Sequence, residues 1–446
     1  MNHSNSLNTD SFINIAHSGS FVNGFFKKVR SKANMTNKLT DKTNTFGRFS
    51  HKITVERFLN LGEARNGSIS QKGTASYMNK QVDFAALAAQ FRFRGEFIYA
   101  EPFGEGHIHD TYAIYFKGRY IHPRRYILQR INTEVFKNPD ALMDNIERVT
   151  AHLRKKIRQA GGNVCRETLT VVRTVEGGSM YADANGDCWR AYLFIDDSTT
   201  FQSIEEPECF FQSARAFGRF IRQLDDFPVD TLHETIPNFH HTESRFEALV
   251  KAVIQDKAGR AVGVEKEIDF AMRRKTDASV LTGLLSEGKL PLRVTHNDTK
   301  LNNVLIDNAT GQSVCVVDLD TVMPGLSLYD FGDAIRFGAS TAAEDEKDLT
   351  KVCFSPALFE AFTKGFLMET GEVLWPLEID LLPFGAKIMT FECGIRFLTD
   401  YLNGDTYFKI HYSDHNLDRC RTQFKLVQEM EEKADQMMVI VGKYRK

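Results

Sequence analysis

Two short apolar segments, Leu292–Thr295 and Val314–Val317, bracket the run His296-Asn297-Asp298-Thr299-Lys300-Leu301-Asn302-Asn303, and the second runs directly into Asp318-Leu319-Asp320. The pattern is H-x-D-x-x-x-x-N followed by D-x-D. Asp298 can accept a proton from a substrate hydroxyl, while Asn303 and Asp318 offer hard oxygen ligands to Mg2+ bound to nucleotide phosphates, with Asp320 a further carboxylate beside them. Phosphoryl transfer asks little of a protein beyond positioning and charge stabilisation, so one oriented carboxylate and a few oxygen ligands suffice. A bare H-x-D would read as an Asx turn with polar residues at a strand end. An Asn five residues on, a strand on each side and a carboxylate closing the second strand predict a kinase-type site instead.

Gly104-x-Gly106 offers two readings, a hairpin turn or a loop whose backbone approaches phosphates. No G-x-x-x-x-G-K-[ST] occurs, because the Gly-Lys pairs Gly288-Lys289 and Gly442-Lys443 continue with Leu and Tyr. A P-loop ATPase is thereby excluded.

The elements that must position these groups read as follows. From Val82 the pattern predicts a helix over Phe84–Phe93, strands over Phe97–Glu101, Thr111–Phe116 and Tyr126–Ile131, and a helix over residues 141–158 that Gly161-Gly162 stops. Strands near Leu169–Val175 and Cys188–Ile195 follow. Beyond Asp196–Thr199 the chain reads as mainly helical, beginning with Pro207–Leu224 and ending with one amphipathic helix over Leu417–Val441. The expectation is an α+β protein, with a polar basic leader over 1–80, a small antiparallel-sheet lobe over 81–199 for the nucleotide and a mainly helical catalytic lobe over 200–446.

Composition narrows the class. The 446 residues are 42% hydrophobic and 26% charged, with 35 Phe against 11 Pro, which excludes collagen-like and wholly disordered chains. Residues 1–80 carry a net charge of +8 and the remainder −10. The acidic body argues against a nucleic-acid partner. The leader, rich in Asn, Ser, Thr and Lys, reads as disordered, or else as a basic targeting or partner-binding arm. Seven cysteines without a C-x-x-C pair argue against a disulfide framework or zinc ribbon. With neither a membrane-length apolar run nor a secretory signal, no membrane is expected and the cytoplasm is the expected compartment.

The motifs resemble those of the aminoglycoside phosphotransferase and choline kinase-like superfamily and, within it, the N-acetylhexosamine 1-kinases. The likeness runs from about Val82 to the C-terminus. It rests on Gly-Glu-Gly-His at 104–107, Tyr-Ile-Leu-Gln at 126–129, the whole of 292–303, Asp-Leu-Asp-Thr at 318–321 and Asp-Phe-Gly-Asp at 330–333. Arg336-Phe-Gly-Ala-Ser-Thr and Glu392-Cys-Gly-Ile-Arg-Phe-Leu extend it beyond the generic kinase motifs. The resemblance implies a bilobal protein-kinase-like fold, ATP and Mg2+, and transfer of the γ-phosphoryl group to the anomeric hydroxyl of N-acetylglucosamine or N-acetylgalactosamine. It makes Asp298 the base and Asn303 and Asp318 metal ligands, with Asp320 beside them as a third candidate ligand, and it assigns the sugar to His107, Arg396 and Tyr407.

Each sugar contact also has a plain structural reading. His107 could be an ordinary loop residue, Arg396 could pair with Glu392 at i,i+4, and Tyr407 could fill core. The strand that usually presents a phosphate-binding Lys reads Leu128-Gln129-Arg130, so either Arg130 supplies the cation or the phosphates rely on metal and backbone, including Gly104 and Gly106. Glu147 is the candidate partner of such a cation, or a solvent-facing helix charge. Two rivals stand beside the sugar kinase: a same-fold kinase of choline, homoserine, methylthioribose or an aminoglycoside, and a nucleotide-binding pseudokinase scaffold. Carboxylates or aromatic faces would mark a cationic acceptor. A small-molecule substrate and a monomer or weak oligomer complete the expectation.

Overall fold

The structure is a computed structural model that describes residues 82–104, 108–118, 122–204 and 206–445. The leader over 1–80, and with it the expectation of disorder, lies outside the described residues.

Helix α1 (Phe84–Ala88) opens the described chain. Strands β1 (Phe97–Pro102), β2 (Asp110–Phe116) and β3 (Arg124–Arg130) follow. Helix α2 (Pro139–Gln159) crosses next, before β4 (Met180–Ala182) and β5 (Cys188–Leu193). The five strands form one antiparallel sheet in the order β1-β2-β3-β5-β4. Its register sets Thr111 opposite Gln129 and Gln129 opposite Arg190, so one row of side chains crosses three strands.

Local chemistry sets the ends of α2. Asn138 caps it by accepting from the Ala141 N–H, Pro139 takes the first turn, and Gly161 leaves in the left-handed region at φ +76°. Its buried stripe of Leu142, Ile146, Val149, Leu153 and Ile157 faces the core, each such side chain contributing about 1.5–3 kcal/mol.

The rest is largely helical: α3 (Pro207–Gln223), α4 (Thr242–Gln255), α5 (Glu265–Met272), α6 (Val280–Ser286), α7 (Ser327–Gly338), α8 (Pro356–Thr370), α9 (Pro376–Asp380), α10 (Leu382–Asn403), α11 (His415–Glu432) and α12 (Ala434–Tyr444). Two small antiparallel sheets lie among them. One joins β7 (Arg293–Thr295) to β10 (Met323–Gly325), and the other orders β6 (Ser198–Thr199), β8 (Val304–Asp307) and β9 (Ser313–Val316). A continuous apolar core runs from α2 through Tyr192 to Phe217 and Phe220 of α3 and on to Val304 and Val316.

Glycines permit the closest crossing. A Cβ on Gly332 of α7 would lie 2.3 Å from the Gly385 carbonyl oxygen of α10. None of the seven cysteines forms a disulfide, and among the described residues no helix is long and apolar enough to cross a membrane.

Several expected elements differ in extent. The helix expected over Phe84–Phe93 ends at Ala88, and Phe91 instead bridges to Thr174. Leu169–Val175 forms isolated bridges rather than a strand, although the Val172 N–H still donates to the Ala191 carbonyl. The terminal helix is two helices, divided at Lys433.

Candidate active site

Strand β7 delivers the chain into the 296–303 loop, and α7 holds that loop from below. The buried Asp330 carboxylate accepts the backbone N–H groups of His296 at 2.9 Å and Asn297 at 2.7 Å. Asp333, one turn on, accepts the Thr299 N–H at 3.0 Å. Burial pushes the Asp330 carboxyl up to about 6, whereas Arg336, Lys300 and His240 outweigh burial at Asp333 and hold its carboxyl below the usual range.

The loop is tied equally to the segment that follows β9. His296 donates from Nε2 to the Val317 carbonyl at 2.9 Å, leaving its Nδ1 to accept the Asp298 N–H at 3.3 Å. The Thr321 hydroxyl donates to the His296 carbonyl at 2.7 Å.

These ties bring together three of the expected residues. Asp298 is partly exposed, and its Oδ2 accepts from Asn303 Nδ2 at 3.0 Å. The same amide group donates to the Asp298 carbonyl at 2.8 Å, so both contacts use the Asn303 nitrogen and leave its Oδ1 as an acceptor. Lys300 Nζ lies 2.7 Å from Asp298 Oδ1. Burial opposes the Lys300 charge, but Asp298 and Asp333 outweigh it and raise its pKa.

Asp318 takes the left-handed region at φ 60°, which Asp tolerates better than most residues. Asp318 is exposed at its surface, while protein encloses its carboxyl on most sides. That enclosure, with Asp320 and Asp298 nearby, pushes its carboxyl up to about 7. Among the described residues its side chain has no hydrogen-bond or ion-pair partner, so an added cation would relieve it. Asn303 Oδ1 and Asp318 therefore fit Mg2+, a hard cation that keeps few protein ligands and completes its shell with phosphates and water. Among the described residues, no three His, Cys, Asp or Glu side chains form a closed metal cage.

Asp320 does not join them, which corrects its expected place among the metal ligands. Its buried carboxylate is held by both terminal nitrogens of Arg190, at 2.7 Å from Nη2, and by His109 Nε2 at 2.5 Å. Arg190 Nε donates to Gln129 at 3.0 Å, and Gln129 in turn donates to Thr111 at 3.0 Å. With its acceptor sites taken by these donors, the Asp320 carboxyl is held well below the usual carboxylate range despite burial.

The cation at the β3–β5 row is thus Arg190, not Arg130. One residue on from Gln129 and therefore on the opposite face, Arg130 pairs with Asp110 and with Asp187 at 3.2 Å. Glu147 pairs with Arg173 at 2.6 Å, not with Arg130. Gly104 adopts φ +77° with open space around it, a conformation suited to glycine. Gly106 and His107 lie outside the described residues.

A third group of residues flanks the 296–303 loop. His240 donates from Nε2 to the Asn297 carbonyl at 2.9 Å and from Nδ1 to Glu392 at 2.9 Å, and Thr242 donates to the other Glu392 oxygen at 2.7 Å. An acceptor on each nitrogen favours the protonated form of His240: Glu392 raises its pKa against the opposing effect of burial. Glu392 is therefore engaged by His240 and Thr242, not by Arg396 at i,i+4. Arg396 lies instead between the rings of Phe239 and Phe408, at 5.8 and 5.6 Å. Asp400 accepts the N–H groups of Thr406, Tyr407 and Phe408, each at 2.9 Å, and so sets the Tyr407 backbone. Tyr407 is 71% exposed, which rules out core filling.

Residues 100–354 match the phosphotransferase enzyme family, more than half of the chain. The chain belongs to that family. Among solved structures, the phosphotransferase is similar to the amicoumacin kinase hAmiN, at 14% identity and a TM-score of 0.50, over 80% of this chain and 94% of that one. It is also similar to an aminoglycoside phosphotransferase from Alicyclobacillus acidocaldarius, at 12% identity and a TM-score of 0.49, over 84% and 97% of the two chains. A choline kinase from Cryptosporidium parvum matches at 13% identity and a TM-score of 0.44, over 77% and 92%. The fold of the phosphotransferase is kinase-like, with a sheet-bearing N-terminal lobe and a largely helical C-terminal lobe.

Lys300, Arg190, His109 and His240 were not singled out by sequence reasoning. Lys300 stands inside the H-x-D-x-x-x-x-N run, where its two-residue spacing from Asp298 was a usable signal. A charged residue within the otherwise apolar run Trp189–Leu193 marked Arg190, but its partner 130 residues away was not readable.

Proposed function

We propose that this phosphotransferase is an ATP- and Mg2+-dependent kinase that phosphorylates the anomeric hydroxyl of N-acetylhexosamines, giving the sugar 1-phosphate. The observation that carries the reading is the convergence of Asp298, Asn303 and Asp318, with the Asn303 amide turned onto Asp298 so that its oxygen is left for a metal. Magnesium held by Asn303 Oδ1 and Asp318 would neutralise charge on the phosphate oxygens. Asp298 orients the acceptor hydroxyl and takes its proton as the oxygen attacks, a role that needs a carboxylate within hydrogen-bond reach. Lys300, ion-paired with that base, adds positive charge where negative charge gathers on the transferred group. Gly104 contributes an unobstructed backbone on the nucleotide side.

The flank supports the proposed acceptor class. The aromatic faces of Phe239 and Phe408, which could hold an alkylammonium, already carry the Arg396 guanidinium. Glu392, which could pair with an amine, is already engaged by His240 and Thr242. A neutral ligand rich in hydroxyl and carbonyl oxygens suits the Arg396 donors, and exposed Tyr407 adds a hydroxyl and an apolar face. His107 belongs to the same proposal through the motif at 104–107. Membership of the phosphotransferase family and likeness to the amicoumacin kinase support a small-molecule acceptor without fixing which. The proposal includes a cytoplasmic monomer or weak oligomer, and the acidic body argues against a nucleic-acid partner.

The test is a panel of N-acetylhexosamines, unmodified hexoses, choline and aminoglycosides with Mg2+-ATP, following ADP release and locating the new phosphate by NMR. Phosphate on the anomeric oxygen of an N-acetylhexosamine is the expected product. Turnover only with choline or an aminoglycoside would refute the sugar assignment, and nucleotide binding without any turnover would refute the enzyme.

A further inference from the structure

Arg245 lies on α4, beside Arg396. Its Nη2 donates to the Phe239 carbonyl at 2.9 Å, and the Phe239 ring lies beneath the Arg396 guanidinium at 5.8 Å. Two cations thus share one phenylalanine, one on its carbonyl and one on its ring. Among the described residues, Arg245 Nε is buried without a hydrogen-bond partner. Among the described residues neither guanidinium has a carboxylate in an ion pair. The nearby acid, Glu392, is already bound by His240 and Thr242. Burial and the neighbouring Arg396 charge hold the Arg245 pKa below its ordinary value, with Glu392 and Tyr407 opposing them.

Leaving buried donors unmet and like charges adjacent is unfavourable unless something complements them. The Phe239–Thr242 segment joins this pair to the catalytic loop through the contact of His240 with Asn297. The segment whose Phe239 carbonyl holds Arg245 thus also touches the loop that carries Asp298.

We propose that Arg245 and Arg396 form a two-guanidinium wall that recognises an electron-rich oxygen on the acceptor, an acylamide carbonyl or a carboxylate, and excludes acceptors bearing an ammonium group. Arg245 is the specificity-determining member, because its charge leaves Arg396 without a neutralising neighbour. The inference rests on the sugar-kinase reading and deepens it: the N-acetyl group is read by charge as well as by shape.

The experiment compares kcat and KM for N-acetylglucosamine, glucose and glucosamine in the wild type, R245K, R245Q and R245E, with thermal melts confirming the fold. Wild-type kcat/KM should rank the acylated sugar first and the amine last. R245E should narrow the ratio of acylated sugar to amine by about tenfold or more, chiefly through KM. R245Q should narrow it less, and R245K should retain most of it. An unchanged ratio in both R245Q and R245E, or an equal loss on all three sugars, overturns the inference while the sugar-kinase reading stands. Wild-type protein that turns over none of the three sugars overturns that reading, and the inference with it.

Discussion

Replacing Asp320 with Asn tests the buried ion pair that ties the sheet to the loop following β9. Asp320 and Arg190 are 3% and 1% exposed, and the carboxylate meets two guanidinium nitrogens as well as His109. The amide keeps the shape but strands a buried guanidinium without its counter-charge, a loss of about 3–5 kcal/mol. With m near 3 kcal/mol/M, the urea midpoint should fall by about 1 M or more. Trp189 adjoins Arg190 in the chain and is buried, and the other tryptophan, Trp375, is exposed, so fluorescence in a W375F background reports this region. Replacing both partners, as R190M/D320L, should recover much of the loss, because an apolar pair leaves no charge unmet. Since Asp318 lies two residues from Asp320, D320N should also raise KM for ATP more than KM for the acceptor. A midpoint shift below about 0.3 M, or losses that simply add in the double variant, would refute the coupling.

Four further outcomes can be checked. D298N should lower kcat by about 10²–10⁴-fold while retaining nucleotide affinity, read by isothermal titration with ATP. D330N exchanges an oxygen that accepts a loop N–H for an amide that cannot, so kcat should fall by about tenfold or more with a smaller change in KM for ATP. G332A would force a Cβ against the Gly385 carbonyl and should cost about 3 kcal/mol by urea titration. Glu429 accepts from the Phe354 N–H, Lys433 and Lys425, which overcome burial and lower its carboxyl to about 2. Its stabilisation is present above about pH 4.5 and lost as pH falls toward 2, so the stability gap between wild type and E429Q should close over that window.

What could be read in advance divides along physical lines. Helix α2 was legible to within two residues because its apolar spacing, Pro139 and Gly161 all act locally. The catalytic run was legible because a loop needs its chemistry at fixed spacing. Strand β8 was missed because four residues between a loop and a turn carry too little alternation. The break at Lys433 was missed because the apolar stripe continues across it. Leu169–Val175 has the β-branched composition of a strand, yet it meets β5 only at isolated points. The pairings Arg190 with Asp320 and Glu147 with Arg173 join residues far apart in sequence, and nothing in either segment names its partner.

The loops that carry Asp298 and Asp318 hang from α7 and β5, while the proposed acceptor flank hangs from α4 and α10, with His240 as a joint between them. Such a division lets the taste of the enzyme drift while its engine stays untouched. Substitutions at Phe239, Arg245, Arg396 and Tyr407 can accumulate and be selected for new acceptors, whereas any change at His240 must satisfy both halves at once.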